Sequence, residues 1–228
     1  MTRVLVVEDD SQLLKALSIS LRARTYEVDT APDGATALRL AAVRPPDAVL
    51  LDLGLPDLDG LDVIKGLRGR SGIPILVVSA RRAEAEKIEA LDTGADDYIT
   101  KPFGMEELLA RLRVALRNKA PAPPGNDARL VIRTEDFTVD LTAKKATSGG
   151  QDIRLTPTEW HLLELLLRNP GRLISQQQML QEVWGPAYGD HTNYLRVYMA
   201  QLRRKLESDP SRPRHLITEP GMGYRFEE

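Results

Sequence analysis

Four strand-like runs in the first half of the chain each end in residues able to do polar chemistry. Glu8, Asp9 and Asp10 follow residues 4–7, Asp52 follows 48–51, Ser79 follows 75–78, and Lys101-Pro102 follow 97–100. Singly, an Asp or Ser after a strand is a helix cap or turn former. Jointly, acids after two strands, a hydroxyl after a third and a lysine after a fourth have no shared explanation in capping. Carboxylates in one crevice repel unless a cation lies among them, and hard oxygen donors suit Mg²⁺. A carboxylate nucleophile, a metal to neutralise phosphoryl oxygens, and a lysine and hydroxyl to contact them are what phosphoryl transfer needs.

These residues converge only if their strands lie side by side, because an open parallel sheet gathers functional groups at the carboxyl ends of its strands. Residues 4–7, 48–51 and 75–78 are continuous apolar runs of the length that suits strands buried on both faces. Residues 26–31 and 97–100 are weaker strands. Leu13, Leu14, Leu17 and Leu21, then Ala35, Leu38 and Ala42, recur at helical spacing, and further helices are predicted near 60–68, 83–92 and 104–117. Five βα units make a doubly wound α/β domain over 1–119. The run Ala120-Pro121-Ala122-Pro123-Pro124-Gly125-Asn126-Asp127 cannot continue a helix and reads as a linker, 120–128. Over 129–228 come β-like pieces at 130–133, 137–140, 145–147 and 153–155, then helices, then 216–218 and 224–226, a separate α+β domain.

Val7-Glu8-Asp9-Asp10, Leu51-Asp52-Leu53-Gly54-Leu55-Pro56, Val78-Ser79-Ala80 and Asp96-Asp97-Tyr98-Ile99-Thr100-Lys101-Pro102-Phe103 together resemble the motifs of response-regulator receiver domains. The resemblance implies a flavodoxin-like sheet of order 2-1-3-4-5 with Asp52 as phosphoacceptor. It implies Mg²⁺ held by Asp9, Asp52 and the Gly54 carbonyl, with Glu8 acting through metal-bound water and Lys101 pairing with the phosphoryl group. Asp10 remains a helix-start residue, and the Lys101-Pro102 bond is expected to be cis. Ser79, where many relatives carry Thr, and Tyr98 resemble the switch pair whose hydroxyl and ring move on phosphorylation. A symmetric dimer is also implied, with Lys87 facing Glu107 and Asp97 facing Arg111 across Ile88, Leu91 and Ala110. Helical spacing alone would make Glu107 and Arg111 an intrahelical pair. The implied partners are a sensor histidine kinase, promoter DNA and RNA polymerase. The implied chemistry is self-phosphorylation with at most slow autodephosphorylation, not enzymatic turnover.

In the second domain, Thr156-Pro157-Thr158-Glu159 is a capping box opening a helix whose apolar face is Trp160, Leu162, Leu163, Leu166 and Leu167. A second helix is expected over 175–183. A third, over 192–206, carries an apolar stripe of Leu195, Met199, Leu202 and Leu206. Its opposite side, read as Tyr194, Tyr198 and Gln201 flanked by Arg196, Arg203 and Arg204, suits a recognition helix in a major groove. Thr218-Glu219-Pro220-Gly221-Met222-Gly223-Tyr224-Arg225-Phe226 resembles the wing of the OmpR/PhoB-type winged helix-turn-helix domain. Pro220 stands where some relatives place a minor-groove arginine, which leaves Thr218 as the wing's phosphate contact. Tyr194-Leu195-Arg196-Val197-Tyr198-Met199 and Asp209-Pro210-Ser211-Arg212-Pro213-Arg214-His215 further resemble the Kdp-type regulators, implying control of a potassium-uptake operon.

Composition bounds these readings. The 228 residues include no cysteine, which excludes disulfides and thiolate chemistry, and a net charge of −2 gives no global attraction to polyanions. No run approaches the roughly 20 apolar residues of a membrane span, so a cytoplasmic protein is expected. A phosphatase of the haloacid dehalogenase type would also use a carboxylate nucleophile, but Gly54 stands where its second Asp belongs. An interaction module whose phosphorylation masks a surface is the third alternative.

Overall fold

β-branched and leucine-rich runs with no polar face can be buried only inside a sheet covered on both sides, and the first half of the chain folds that way. The computed structural model describes residues 1–119, 131–185 and 192–228, so the linker reading at 120–128 lies outside the described residues. In chain order the first unit has β1 (Arg3–Val7), α1 (Ser11–Arg22), β2 (Glu27–Ala31), α2 (Gly34–Val43), β3 (Ala48–Leu51), α3 (Gly60–Arg68), β4 (Ile75–Ser79), α4 (Glu84–Thr93), β5 (Asp97–Thr100) and α5 (Met105–Lys119). The five strands are parallel in the order β2-β1-β3-β4-β5. Val4, Val6, Leu50, Leu76 and Val78 fill one face of the sheet against Leu17 and Leu21 of α1 and Leu108, Leu109 and Leu112 of α5. Burying one such side chain contributes roughly 1.5–3 kcal/mol.

Each of the first three helices starts on an aspartate. Asp10 accepts from the Gln12 and Leu13 amides, Asp33 from Thr36 and Asp59 from Leu61. Such caps hold helix entry, and therefore the loops carrying the polar residues, worth about 1 kcal/mol each. Gly60 opens α3 against the loop that follows Asp52. A Cβ there would lie 2.5 Å from the Leu53 Cα and 2.7 Å from its Cδ2.

The chain divides into two compact units, Met1–Lys119 and Ala120–Glu228. The second has β6 (Val131–Arg133), β7 (Phe137–Asp140), β8 (Lys145–Ser148), β9 (Gln151–Ile153), α6 (Pro157–Leu167), β10 (Ile174–Ser175), α7 (Gln176–Trp184), α8 (Thr192–Leu206), β11 (Leu216–Glu219) and β12 (Gly223–Phe226). Strands β6-β7-β8-β9 form an antiparallel meander, and β10-β12-β11 a three-stranded sheet. The fourth strand lies two residues earlier than the sequence reading placed it. Gly149 and Gly150, both at positive φ, make a two-residue turn that pairs Ser148 with Gln151. The two-residue β10 escaped the reading because its signal is shorter than any periodicity. The capping box is formed: Thr156 Oγ1 accepts from the Glu159 amide, and the Glu159 carboxylate accepts from the Thr156 amide.

Gly60→Ala is expected to destabilise the first unit by about 1–3 kcal/mol, because the loop after Asp52 must give way. Urea unfolding followed by a probe in that unit checks it, and an unchanged midpoint would count against the tight approach.

Candidate functional site

The register of the sheet brings the polar residues together. Val7 is level with Leu51, so the residues that follow, Glu8 and Asp52, emerge side by side from β1 and β3. Ser79 is level with Thr100, so Lys101 leaves β5 beside the end of β4. Backbone hydrogen bonds continue past the strands: the Asp52 amide donates to the Val7 carbonyl at 2.9 Å and the Lys101 amide to the Ser79 carbonyl at 2.8 Å. The Lys101 ammonium then reaches back across the sheet. It donates to both Glu8 oxygens at 2.9 and 2.8 Å and to Asp52 Oδ2 at 2.6 Å. The other Asp52 oxygen accepts from the Gly54 amide at 3.1 Å.

Glu8, Asp9 and Asp52 each offer a carboxylate oxygen, and these oxygens lie within 4.8 Å of one another. Glu8 and Asp52 are buried, while Asp9 is exposed at the mouth. Three carboxylates against one ammonium leave the crevice negative, and an all-oxygen donor set fits a hard divalent cation. Burial pushes the Glu8 carboxyl up, opposed by its hydrogen bond from Lys101. Burial disfavours the Lys101 ammonium too, but the hydrogen bonds and charges of Asp52 and Glu8 outweigh that, and its net shift is upward. The Lys101–Pro102 peptide is cis.

Ser79 is buried one strand away from Asp52 and is joined to Tyr98 through a residue that sequence reasoning passed over. The Arg81 amide donates to Ser79 Oγ at 3.3 Å, and the Tyr98 hydroxyl donates to the Arg81 carbonyl at 2.9 Å. Arg81 Nη2 also reaches the Leu53 carbonyl at 3.5 Å, beside Asp52. The Tyr98 ring is buried, and burial raises its phenol, with the Ser79 hydroxyl opposing. Only the position of Arg81, two residues beyond Ser79, hinted at this.

On the α4-β5-α5 side, Arg111 pairs within its own chain, with Asp97 Oδ1 at 3.2 Å and Glu107 Oε1 at 2.7 Å. The intrahelical pairing that spacing alone suggested is therefore present. Lys87 and Ile88 are half-buried and Glu107 and Ala110 exposed, but Leu91 is buried and belongs to the core, not to a surface patch. Burial raises the Asp97 carboxyl to about 7, against the pull of Arg111.

The outward side of α8 differs from the sequence reading. Tyr194, Tyr198 and Gln201 are 4%, 0% and 6% exposed, so none of them faces a groove. Both tyrosine rings pack on Trp184, with centroids at 6.5 and 5.3 Å. A tyrosine reads as polar or apolar according to its neighbours, and the aromatic socket of α7 took these two inward. The exposed strip is Asn193, Arg196, Ala200 and Arg204, at steps of three, four and four. That spacing was available in the sequence, but Ala200 carried no chemical signal. Arg203 is half-buried and fixed to the wing, donating to the Leu216 carbonyl at 2.9 Å and to Thr218 Oγ1 at 2.6 Å. Thr218 itself is exposed. Lys205 is tied to buried Glu159 at 2.6 Å.

Comparison with known proteins fits both units. Residues 4–113 match the response regulator receiver domain model, and residues 150–226 match the transcriptional regulatory protein, C terminal, model. The chain is 58% identical over 227 residues to the transcriptional regulatory protein KdpE of Mycobacterium tuberculosis, covering 100% of both chains. It is 49% identical to the KDP operon transcriptional regulatory protein KdpE of Escherichia coli, covering 99% of each. Among solved structures, response regulator DrrB of Thermotoga maritima, an OmpR/PhoB homolog, aligns over 100% of both chains at 27% identity with a TM-score of 0.52. No helix among the described residues is long and apolar enough to cross a membrane. With an acidic, lysine-bridged crevice at the sheet ends of one unit and a wing beside an arginine-bearing helix in the other, the chain belongs to the OmpR/PhoB-type response regulators.

Proposed function

We propose that the chain switches transcription of a potassium-uptake operon, taking a phosphoryl group on Asp52 from a sensor histidine kinase. The convergence of Glu8, Asp9, Asp52 and Lys101 in one crevice carries this reading, and the KDP operon named for the Escherichia coli relative supplies the target. A bound Mg²⁺ supplies charge neutralisation at the phosphoryl oxygens. Asp9, Asp52 and the Gly54 carbonyl are the groups to hold it, with Glu8 beyond them. An Asp52 oxygen forms the new bond to phosphorus while the bond from phosphorus to the donor's imidazole nitrogen breaks, and that nitrogen keeps the electron pair. Lys101 is close enough to Asp52 to follow the group and pair with it. The acceptor holds its phosphoryl group and loses it slowly, without the turnover of an enzyme.

Ser79 then turns toward the phosphoryl group, which draws on the Arg81 amide, and the Arg81 carbonyl carries the change to the Tyr98 hydroxyl. The phosphoryl adds about −1.5 to −2 charge, and the α4-β5-α5 face reads it. Lys87, Ile88, Asp97, Glu107, Ala110 and Arg111 form the face of a symmetric dimer, in which Arg111 exchanges its own chain's Asp97 for that of the second copy and Lys87 takes Glu107. Paired α8 helices present Arg196 and Arg204 to promoter DNA. Arg203 orients the wing, and Thr218 contacts phosphate. RNA polymerase is the downstream partner, in the cytoplasm.

Asp52→Asn should reduce labelling by a phosphorylated kinase to background with an unchanged circular dichroism spectrum; labelling at the parent level would overturn the acceptor assignment. Arg196→Ala and Arg204→Ala should each weaken binding to the potassium-operon promoter by about 1–3 kcal/mol in gel-shift titrations at fixed salt. Tyr198→Ala should instead destabilise the second unit by on the order of 3 kcal/mol, and a Tyr198→Ala protein of full stability with weakened binding would restore a groove-facing Tyr198.

The raised Asp97 carboxyl favours the folded state while protonated. That contribution is complete below its ordinary value of 3.8 and is lost as pH rises through about 7. The stability of the parent relative to Asp97→Asn should therefore decline across that interval, and a difference flat with pH would remove the assignment.

A further inference from the structure

The second unit contains a cluster that neither the receiver chemistry nor the DNA face uses. Asp136 precedes β7, Glu207 follows α8 and His215 precedes β11, and their ligand atoms lie within 4.8 Å of one another. His215 is buried, with its ring edge-on to Phe137 at 5.4 Å. Its Nδ1 lies 3.0 Å from the Glu227 carbonyl oxygen. A carbonyl only accepts, so Nδ1 carries the hydrogen and donates it. In the neutral ring that leaves Nε2 with a bare lone pair. Nε2 is buried, makes no hydrogen bond, and points toward Asp136, whose Oδ2 is 3.9 Å away. That separation is too long for a hydrogen bond and brings an electron pair up against a carboxylate.

Something positive is required between these groups, and their surroundings match a metal's outer shell. Metal-binding histidines almost always donate their second ring N–H to a carbonyl or carboxylate, which fixes the tautomer. Both carboxylates are likewise oriented. Glu207 accepts from the Arg214, His215 and Leu216 amides at 2.9, 3.1 and 2.7 Å. Asp136 Oδ2 accepts from the Ser208 amide and hydroxyl, both at 3.1 Å. One imidazole with two carboxylates favours a borderline cation over Mg²⁺, with water as the fourth ligand of a tetrahedral set.

We propose that Asp136, Glu207 and His215 bind Zn²⁺, clamping the C-terminal end of α8 to the starts of β7 and β11. Because α8 and β11 carry the exposed arginine strip and the wing, loading would stiffen the DNA-reading half of the protein independently of phosphorylation.

The test is Zn²⁺ titration of the full, chelator-treated chain by calorimetry, with excess Mg²⁺ present to occupy the receiver acids. One equivalent should bind and raise the melting temperature of the second unit. Asp136→Asn should weaken binding by more than the roughly 10-fold that loss of even an outer-shell partner costs, and His215→Gln should abolish it. Equal stoichiometry in parent and His215→Gln would place the ion elsewhere and overturn the proposal. Should His215→Gln not fold, the ¹⁵N resonance of the parent's His215 Nε2 decides. A metal-bound shift on adding Zn²⁺ supports the site, and a protonated nitrogen unmoved by Zn²⁺ means that a proton fills the gap instead.

Discussion

The Lys101 ammonium between Glu8 and Asp52 is the contact on which the first unit turns. Two buried carboxylates side by side are unstable without a counter-charge, and removing one partner of a buried pair typically costs about 3–5 kcal/mol. Lys101 can supply that charge only because β5 ends beside β4, β4 beside β3, and β3 level with β1. A shift of one residue in any of these registers would turn Glu8, Asp52 or Lys101 to the wrong face. The continuous apolar strands and the aspartate helix caps therefore serve the same end as the charged residues. They hold two carboxylates from distant sequence positions within hydrogen-bonding reach of one nitrogen.

That arrangement also explains how a local charge change can travel. Asp52 is held from both ends, by Lys101 through Oδ2 and by the Gly54 amide through Oδ1. The loop between is pinned by the approach of Gly60 to Leu53. On the far side, Arg81 touches the Leu53 carbonyl, Ser79 and Tyr98 in one span. A packed core does not deform continuously, so a change at Asp52 must either be absorbed by this chain of contacts or displace it as a unit.

The sequence made the receiver legible because its signals are joint. A strand buried on both faces announces itself as an unbroken apolar run, and the functional residues follow directly where those runs stop. The second unit was legible in its elements but less so in its faces. The capping box at Thr156 and the stripe of Leu195, Met199, Leu202 and Leu206 are periodic or positional, and both stand in the structure. Tyr194, Tyr198 and Gln201 were misplaced because periodicity assigns a helix one apolar stripe, whereas α8 sits in a socket wide enough to cover most of its circumference. Trp184 made that socket, and nothing in the spacing of residues 192–206 contains it. The His215 cluster was not legible for a related reason: Asp136 is distant in sequence from Glu207 and His215 and meets them where Ser208, just after α8, bonds to it.

Burial of α8 changes what its charges mean. Residues 196–214 are rich in arginine and lysine, yet two of these cations, Arg203 and Lys205, are engaged within the domain. Lys205 neutralises Glu159, which simultaneously closes the cap of α6. Arg203 ties the helix to the β11 carbonyl and Thr218. Fewer phosphates can be neutralised than the residue count suggests, and the non-specific, salt-dependent share of binding shrinks with them. The exposed side of α8 is the narrow strip of Asn193, Arg196, Ala200 and Arg204. Sequence readout by any helix depends on where its few base-reaching side chains point, so contacts that fix the lie of α8 leave its exposed arginines few alternative directions.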